Sequence, residues 1–246
     1  NSLYGSLQLN WDGYLFLDVT ARNDWSSTMS KDNRSYFYPS VSLSGVISDM
    51  LPKIGGNMPE WFTFAKVRAS YAEVGNDLDP YQLYNNYTVG KDENGNTTAA
   101  PGQILFDSSV RSELIKSWEA GFDVRFLQNP LGLDFAWYKT NATRQLLNLP
   151  LDPFAGNIQN EGLEISLNGA IFQSPDVQGF NWNATAQFSL NRNKIIDLYP
   201  GVTLYDIKTL DAIQIVAAQG SYYGDIYGQT FLRVTDKDSP HYGKVI

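Results

Sequence analysis

The sequence predicts an all-β fold, a sector of an antiparallel transmembrane β-barrel, and three observations predict it. Apolar and polar residues alternate with a period of two in one segment after another, which places them on opposite faces of strands. The connections between those segments alternate between short and long. Aromatic residues make up 14% of the 246 positions, and aromatic rings suit strands and water–lipid interfaces.

Taken in order, the chain reads as strands Leu3 to Asn10 and Tyr14 to Arg22, joined by the turn formers Asn10-Trp11-Asp12-Gly13. A long polar connection, Asn23 to Ser35, leads to a strand from Tyr36 to Ile47. Ser48 to Trp61 is of medium length where the scheme predicts a short one. Phe62 to Val74 follows, then the longest connection, Gly75 to Lys116. In Ser117 to Leu127 the residues Trp118, Ala120, Phe122, Val124 and Phe126 oppose Glu119, Gly121, Asp123 and Arg125. Gln128-Asn129-Pro130 is a tight turn into Leu131 to Thr140, and Asn141 to Glu161 is long again. Gly162 to Ile171, the short Gln173 to Gly179, and Phe180 to Asn191 come next, the last with Trp182, Ala184, Ala186, Phe188 and Leu190 on one face. After the long Arg192 to Ser221 a last strand reads from Tyr222 to Val234, for about nine in all, most of about 9 to 11 residues, the length a tilted strand needs to cross a bilayer. Trp11, Tyr14, Trp61, Phe126, Phe180 and Trp182 lie near the short turns, where a periplasmic aromatic girdle belongs.

Composition removes several functions. A net charge of −8 and a pI near 4.6 leave no basic face for nucleic acid. Zero cysteines exclude disulfides and thiolate chemistry. No run of 18 uncharged apolar residues forms a transmembrane helix, which does not bear on a barrel. The chain opens at Asn1 and stops at Lys244-Val245-Ile246 on what reads as another strand, as expected of a piece of something larger.

Enzymatic chemistry is poorly provided for. His241, the single histidine, sits in the polar turn-like "DKDSPHYGK" and reads as a solvated loop residue. Glu161 with Glu164, or Glu119 with Asp123, offers a carboxylate pair, but Glu119 and Asp123 share one strand face at roughly 13 Å. "KDENGNTT" (Lys91 to Thr98) has the rhythm of a calcium loop but lacks its glycine and its bidentate glutamate, so an Asn94-Gly95 turn explains it better. The acidic long loops leave calcium open. Gly220, Gly224 and Gly228 recur every four residues in a Tyr-rich context that suits a strand or close-packed loop, not a membrane helix.

Four segments carry a family resemblance: "KVRASYAEVGND" (Lys66 to Asp77), "KSWEAGFDVRFLQNPLGLDFAWYKTNATRQLL" (Lys116 to Leu147), "AGNIQNEGLEISLNG" (Ala155 to Gly169) and "NWNATAQFSLNRNKIIDLYPG" (Asn181 to Gly201). "YFYPSVSLSGVISD" and "GSYYGDIYGQTF" match more weakly. Together they resemble the SusC/RagA-like TonB-dependent transporters of Bacteroidetes outer membranes. The resemblance implies that residues 1–246 are a later portion of a large barrel of about 22 strands that holds a plug, with the plug and TonB box outside this chain.

It further implies a Gram-negative outer-membrane location and active transport of nutrients, either glycan oligomers or peptides. The implied partners are a SusD-like surface lipoprotein, TonB through the N-terminal part, and outer-membrane lipid. No enzyme activity, catalytic residue, cofactor or metal is expected. The lumen-facing candidates are Asp18, Arg22, Lys66, Arg68, Glu119, Asp123, Arg125 and Asn183. Tyr81, Tyr84 and Tyr87, in an Asn-rich loop, are candidate ligand contacts, since aromatic faces stack on sugars or peptide groups. The rival readings are a passive or structural barrel, and a soluble β-sandwich whose apolar faces are buried against a second sheet.

Overall fold

The structure is a computed structural model, and it describes residues 1–77, 87–101, 111–127, 130–148, 153–175, 179–198, 202–229, 232–235 and 237–245. Its main body is one antiparallel sheet. The strands are β1 (Ser2–Trp11), β2 (Leu15–Trp25), β3 (Ser35–Val46), β4 (Phe62–Asn76), β7 (Glu113–Phe126), β8 (Leu131–Asn148), β9 (Pro153–Phe172) and β10 (Trp182–Asp197), each paired with its neighbour in that order. Between β4 and β7 stands a separate hairpin, β5 (Tyr87–Lys91) and β6 (Thr97–Pro101). A second sheet of three strands follows β10: β11 (Leu204–Leu210), β12 (Ile213–Ala218) and β13 (Tyr223–Gly228).

Local chemistry sets the short turns. Asp12 and Gly13 both have positive φ, and the Tyr14 N–H donates to the Trp11 carbonyl at 3.2 Å. Positive φ at both central positions gives the hairpin turn whose twist matches its strands, which is why Asp-Gly stands there. The medium connection after β3 holds a short helix, α1 (Ile47–Lys53), with Pro52 near its end and Gly55 just beyond. Lys53 from this helix pairs with Asp12 at 2.6 Å and lies over the Tyr14 ring, tying two short-side connections together.

Eight of the predicted strands form the main sheet; the ninth does not. Tyr222 to Val234 supplies β13 to the small sheet, while Arg233 makes an isolated bridge to Val245. The strands are also longer than expected, and Asn141 to Glu161, read as a long loop, is ladder up to Asn148 and again from Pro153. Period-two alternation requires one face in lipid or core and the other in water. Where both faces meet water the sequence pattern stops, while hydrogen-bonded pairing continues.

The register assembles the alternation into two continuous faces. One row runs Trp11, Leu15, Gly45, Val67, Phe122, Phe135, Ile165, Phe188 across all eight strands. The next runs Leu9, Leu17, Leu43, Ala69, Ala120, Trp137, Leu163, Leu190. This apolar face is open: Leu7, Leu9, Leu43, Val67, Trp118, Leu167 and Phe188 are all exposed. Among the described residues no second sheet covers it, which is the reverse of what a β-sandwich requires.

The lower edge of the apolar band drifts across the rows. It lies at Trp11 in β1, two rows further on at Phe126 in β7, and further still at Ile171 and Trp182 in β9 and β10. Rows perpendicular to the strands slope relative to a membrane when strands tilt, as a barrel demands. Trp61 stacks on Phe126 at 5.9 Å, Phe62 meets Phe126 at 5.2 Å, and Phe172 meets Phe180 at 6.0 Å, so Trp61, Phe126 and Phe180 of the predicted short-side aromatics make ring contacts. An opposite pair, Tyr71 and Trp118 at 4.4 Å, marks the upper edge. From Trp118 to Phe126 is eight residues, roughly 27 Å along the strand, enough for an apolar band of about 25 Å.

The small sheet docks on the upper part of β10. Ile195 donates its N–H to the Ser221 carbonyl at 2.9 Å and accepts from the Gly220 N–H at 2.8 Å. Its side chain is fully buried with Leu198 and Ala217, against Ile158, Val202, Tyr205 and Ile207. At the β5–β6 tip, Asp92 Oδ1 accepts the backbone N–H of Asn94 and Asn96 at 2.9 and 2.8 Å, and Gly95 takes positive φ. The Asn96 side-chain amide and these N–H groups hold the Asp92 carboxyl below the usual carboxylate value. The predicted Asn94-Gly95 turn is therefore formed, with Asp92 as its internal cap. Gly220 and Gly224 have positive φ, the first in the β12–β13 turn and the second inside β13.

Candidate functional site

The second face of the main sheet is largely polar, with Phe16 and Phe64 among its apolar exceptions. Parity and register place Asp18, Arg22, Lys66, Arg68, Glu119, Asp123, Arg125 and Asn183 together on it. Lys66 stands opposite Asp123, Arg68 opposite Gly121, and Asp123 opposite Asp134. Asp18 lies between Gln8 and Ser42.

Arg68 is the centre of the face. Its guanidinium donates to Asp134 through Nη1 at 2.9 Å and Nη2 at 3.2 Å, a two-pronged contact that fixes its plane, and Nε lies 3.6 Å from Glu119. To reach β8 from β4 it must cross β7, and it crosses at Gly121. A Cβ there would stand 2.6 Å from the Phe135 carbonyl oxygen and 3.0 Å from Arg68 Cζ. The glycine is thus a passage for the arginine.

Two further cations are held on the same face. Arg125 contacts Asp123 at 3.4 Å and lies over the Phe64 ring at 4.8 Å, and Arg22 binds Asp24 at 2.7 Å and Ser2 at 3.1 Å. Asn183 joins Asp123, Arg125, Asp134, Asn168 and Thr185 around a shallow polar concavity. Alternating cations and carboxylates on a hydrated wall can exchange hydrogen bonds with a passing polar solute.

Sequence reasoning missed Asp134 and Asp24, both direct partners of residues it selected. Asp134 alternates with Gly132, Ala136 and Tyr138 on the same face, so the parity that picked Glu119 was available for it. The carboxylates Glu161 and Glu164 point to opposite faces, Glu161 outward beside Trp137, whose Nε1–H donates to it at 3.1 Å. His241 lies in a turn, its N–H donated to Ser239 Oγ at 3.2 Å. Tyr87 opens β5 and is exposed; Tyr81 and Tyr84 lie outside the described residues.

The sequence model of the family described as "TonB dependent receptor-like, beta-barrel" matches residues 1–239. The chain belongs to that family. Among relatives of this TonB-dependent receptor barrel, "TonB-dependent receptor P3" of Formosa agariphila is 27% identical over 94% of the chain and 24% of its own length. "TonB-dependent receptor SusC" of Bacteroides thetaiotaomicron is 25% identical over 81% of the chain and 21% of its own length. The chain therefore spans about a quarter of the length of these relatives. Among solved structures, the RagAB peptide importer in its "open-open" state superposes with a TM-score of 0.75 at 21% identity, over 89% of this chain and 24% of that one. Its "closed-closed" state gives 0.73. At that identity the likeness concerns the fold: the receptor sheet is a sector of a large barrel. The relatives are named as receptors, in line with a role other than enzymatic.

Proposed function

We propose that this chain is a wall sector of an outer-membrane, TonB-dependent importer of polar nutrients, glycan oligomers or peptides, that works with a SusD-like surface lipoprotein. The observation that carries the reading is the division of one eight-stranded sheet into an open apolar face and a charged, internally paired face. Lipid takes the first and an aqueous lumen takes the second. Family membership and the SusC relative support the energy coupling and the lipoprotein partner.

In this role Asp18, Arg22, Lys66, Arg68, Glu119, Asp123, Arg125 and Asn183 line the lumen, and the pairs Arg68–Glu119 and Arg125–Asp123 among them present balanced charge to a polar solute moving past. Tyr87, with Tyr81 and Tyr84, is the candidate outer contact for ligand. Uptake of a labelled oligosaccharide or peptide pool is measured in cells carrying the full-length parent, with and without TonB. Uptake should fall to background without TonB; uptake that persists unchanged sinks the importer reading.

A further inference from the structure

Outward-facing cations gather at one level of the wall. On β7 the first outward residue beyond Trp118 is Lys116, on β8 the first beyond Trp137 is Lys139, and on β10 the first two beyond Leu190 are Arg192 and Lys194. The faces are certified by contacts: Lys116 meets Glu73 at 3.3 Å, and Trp137 and Gln159 both donate to Glu161 on the same side. The register makes Lys139 and Arg192 the two neighbours of Glu161, and Lys116 and Lys194 lie one row beyond. Four strands at about 4.8 Å spacing and two rows about 7 Å apart confine the group to a patch roughly 15 Å wide.

The charges do not cancel. Four cations face two carboxylates, of which Glu73 is taken by Lys116 and the Tyr71 hydroxyl, and Glu161 by Trp137 and Gln159. Lys139, Arg192 and Lys194 have no ion-pair partner within 4 Å among the described residues, in a chain whose net charge is −8. Such a concentration is unexpected on a lumen or a bulk-water surface of an acidic protein. It sits instead at the edge of the apolar band, Lys139 and Arg192 in the row of Trp118 and Tyr71 and Lys116 and Lys194 one row beyond, at the depth where lipid headgroups begin.

We infer that Lys139, Arg192 and Lys194, flanked by Lys116 and Trp118, form a binding site for the phosphate of an anionic lipid in the outward-facing monolayer. The inference rests on the membrane-wall reading proposed above. Acyl chains would lie along Leu163, Leu190 and Trp137 while the phosphate meets the cations, a division the register already provides. Arginine adds a planar fork suited to two phosphate oxygens, and the lysines add point charge.

The test is native mass spectrometry of the full-length receptor in detergent, titrated with phosphatidic acid or with phosphatidylcholine. Wild type should retain phosphatidic acid in preference. The variant K139Q/R192Q/K194Q should lose that retention roughly a hundredfold, at about fivefold per cation, while K139R/R192K/K194R restores most of it. Equal retention by the Gln variant and wild type overturns the site, as does displacement of the lipid by an equal concentration of inorganic phosphate. Circular dichroism melting of each variant separates lost binding from lost folding. A receptor that stays monodisperse without detergent removes the membrane-wall reading itself; a receptor that needs detergent but shows no lipid preference leaves that reading standing and overturns only this site.

Discussion

At the residue scale, Gly121 and Arg68 show which of two effects dominates on the polar wall. The Arg68–Asp134 pair has good geometry, but the side chains are 30% and 41% exposed, so water screens it and its net worth is about 0.5–1 kcal/mol. A side chain at Gly121 meets something less forgiving, the Phe135 backbone carbonyl at 2.6 Å. Backbone in a central strand cannot retreat without breaking the ladder on both sides, and overpacking of this sort costs about 1–3 kcal/mol. Gly121→Val should therefore destabilise the receptor more than Asp134→Asn, although only the second removes a charge. Urea unfolding midpoints of the two variants in detergent check the order, and a larger loss in Asp134→Asn would show that the ion pair, not the crossing, holds this wall. The glycine's role was not legible beforehand, because alternation places residue 121 on a face but does not say whose side chain crosses it.

At the element scale, strand existence was legible wherever lipid and water impose opposite demands on successive residues, as in Phe122, Val124 and Phe126 against Asp123 and Arg125. It faded where that demand ends. The upper halves of β8, β9 and β10 carry runs such as Asn157, Gln159 and Asn160, polar on both faces, and no period marks them as strand. The segment from Tyr222 reads as a crossing strand in the sequence, while positive φ at Gly224 and the dock of Ser221 on Ile195 divert it into the small sheet. Ile195 is the anchor of that dock and is fully buried. Ile195→Ala should cost about 2–5 kcal/mol locally, with the backbone bonds to Gly220 and Ser221 left to hold the sheet. Limited proteolysis should then cut within residues 202–229 many times faster, with the thermal transition of the barrel unmoved. The exposed neighbour Ile196→Ala should leave the cutting rate as it was. Similar rates for both variants would mean that the sheet is held by its hydrogen bonds alone.

At the scale of the whole molecule, among the described residues both edges of the sheet, β1 and most of β10, are unpaired, and its apolar face is bare. A bare apolar face is unfavourable in water, and open edges are not tolerable in hydrocarbon; a sector of a barrel acquires its stability from the rest of the closed barrel in a bilayer. That makes the cost of a charge a measure of depth. Leu167 lies mid-band on β9, flanked by Leu133 and Ala186. Leu163 lies at the upper edge beside Leu190 and one outward position below Glu161, while Ser166 faces the polar side between Asp134 and Gln187. If the apolar face meets lipid, Leu167→Arg in the full-length receptor costs about 2–4 kcal/mol, Leu163→Arg about 0–1, and Ser166→Arg little at all. The measurement is reversible unfolding from phosphatidylcholine bilayers. A buried soluble core would penalise arginine at Leu163 and Leu167 alike, since burial between sheets has no depth axis along the strand. A flat profile from Leu163 to Leu167 would therefore exclude lipid as the neighbour of this face, whereas a graded one locates the sheet in the membrane by energy alone.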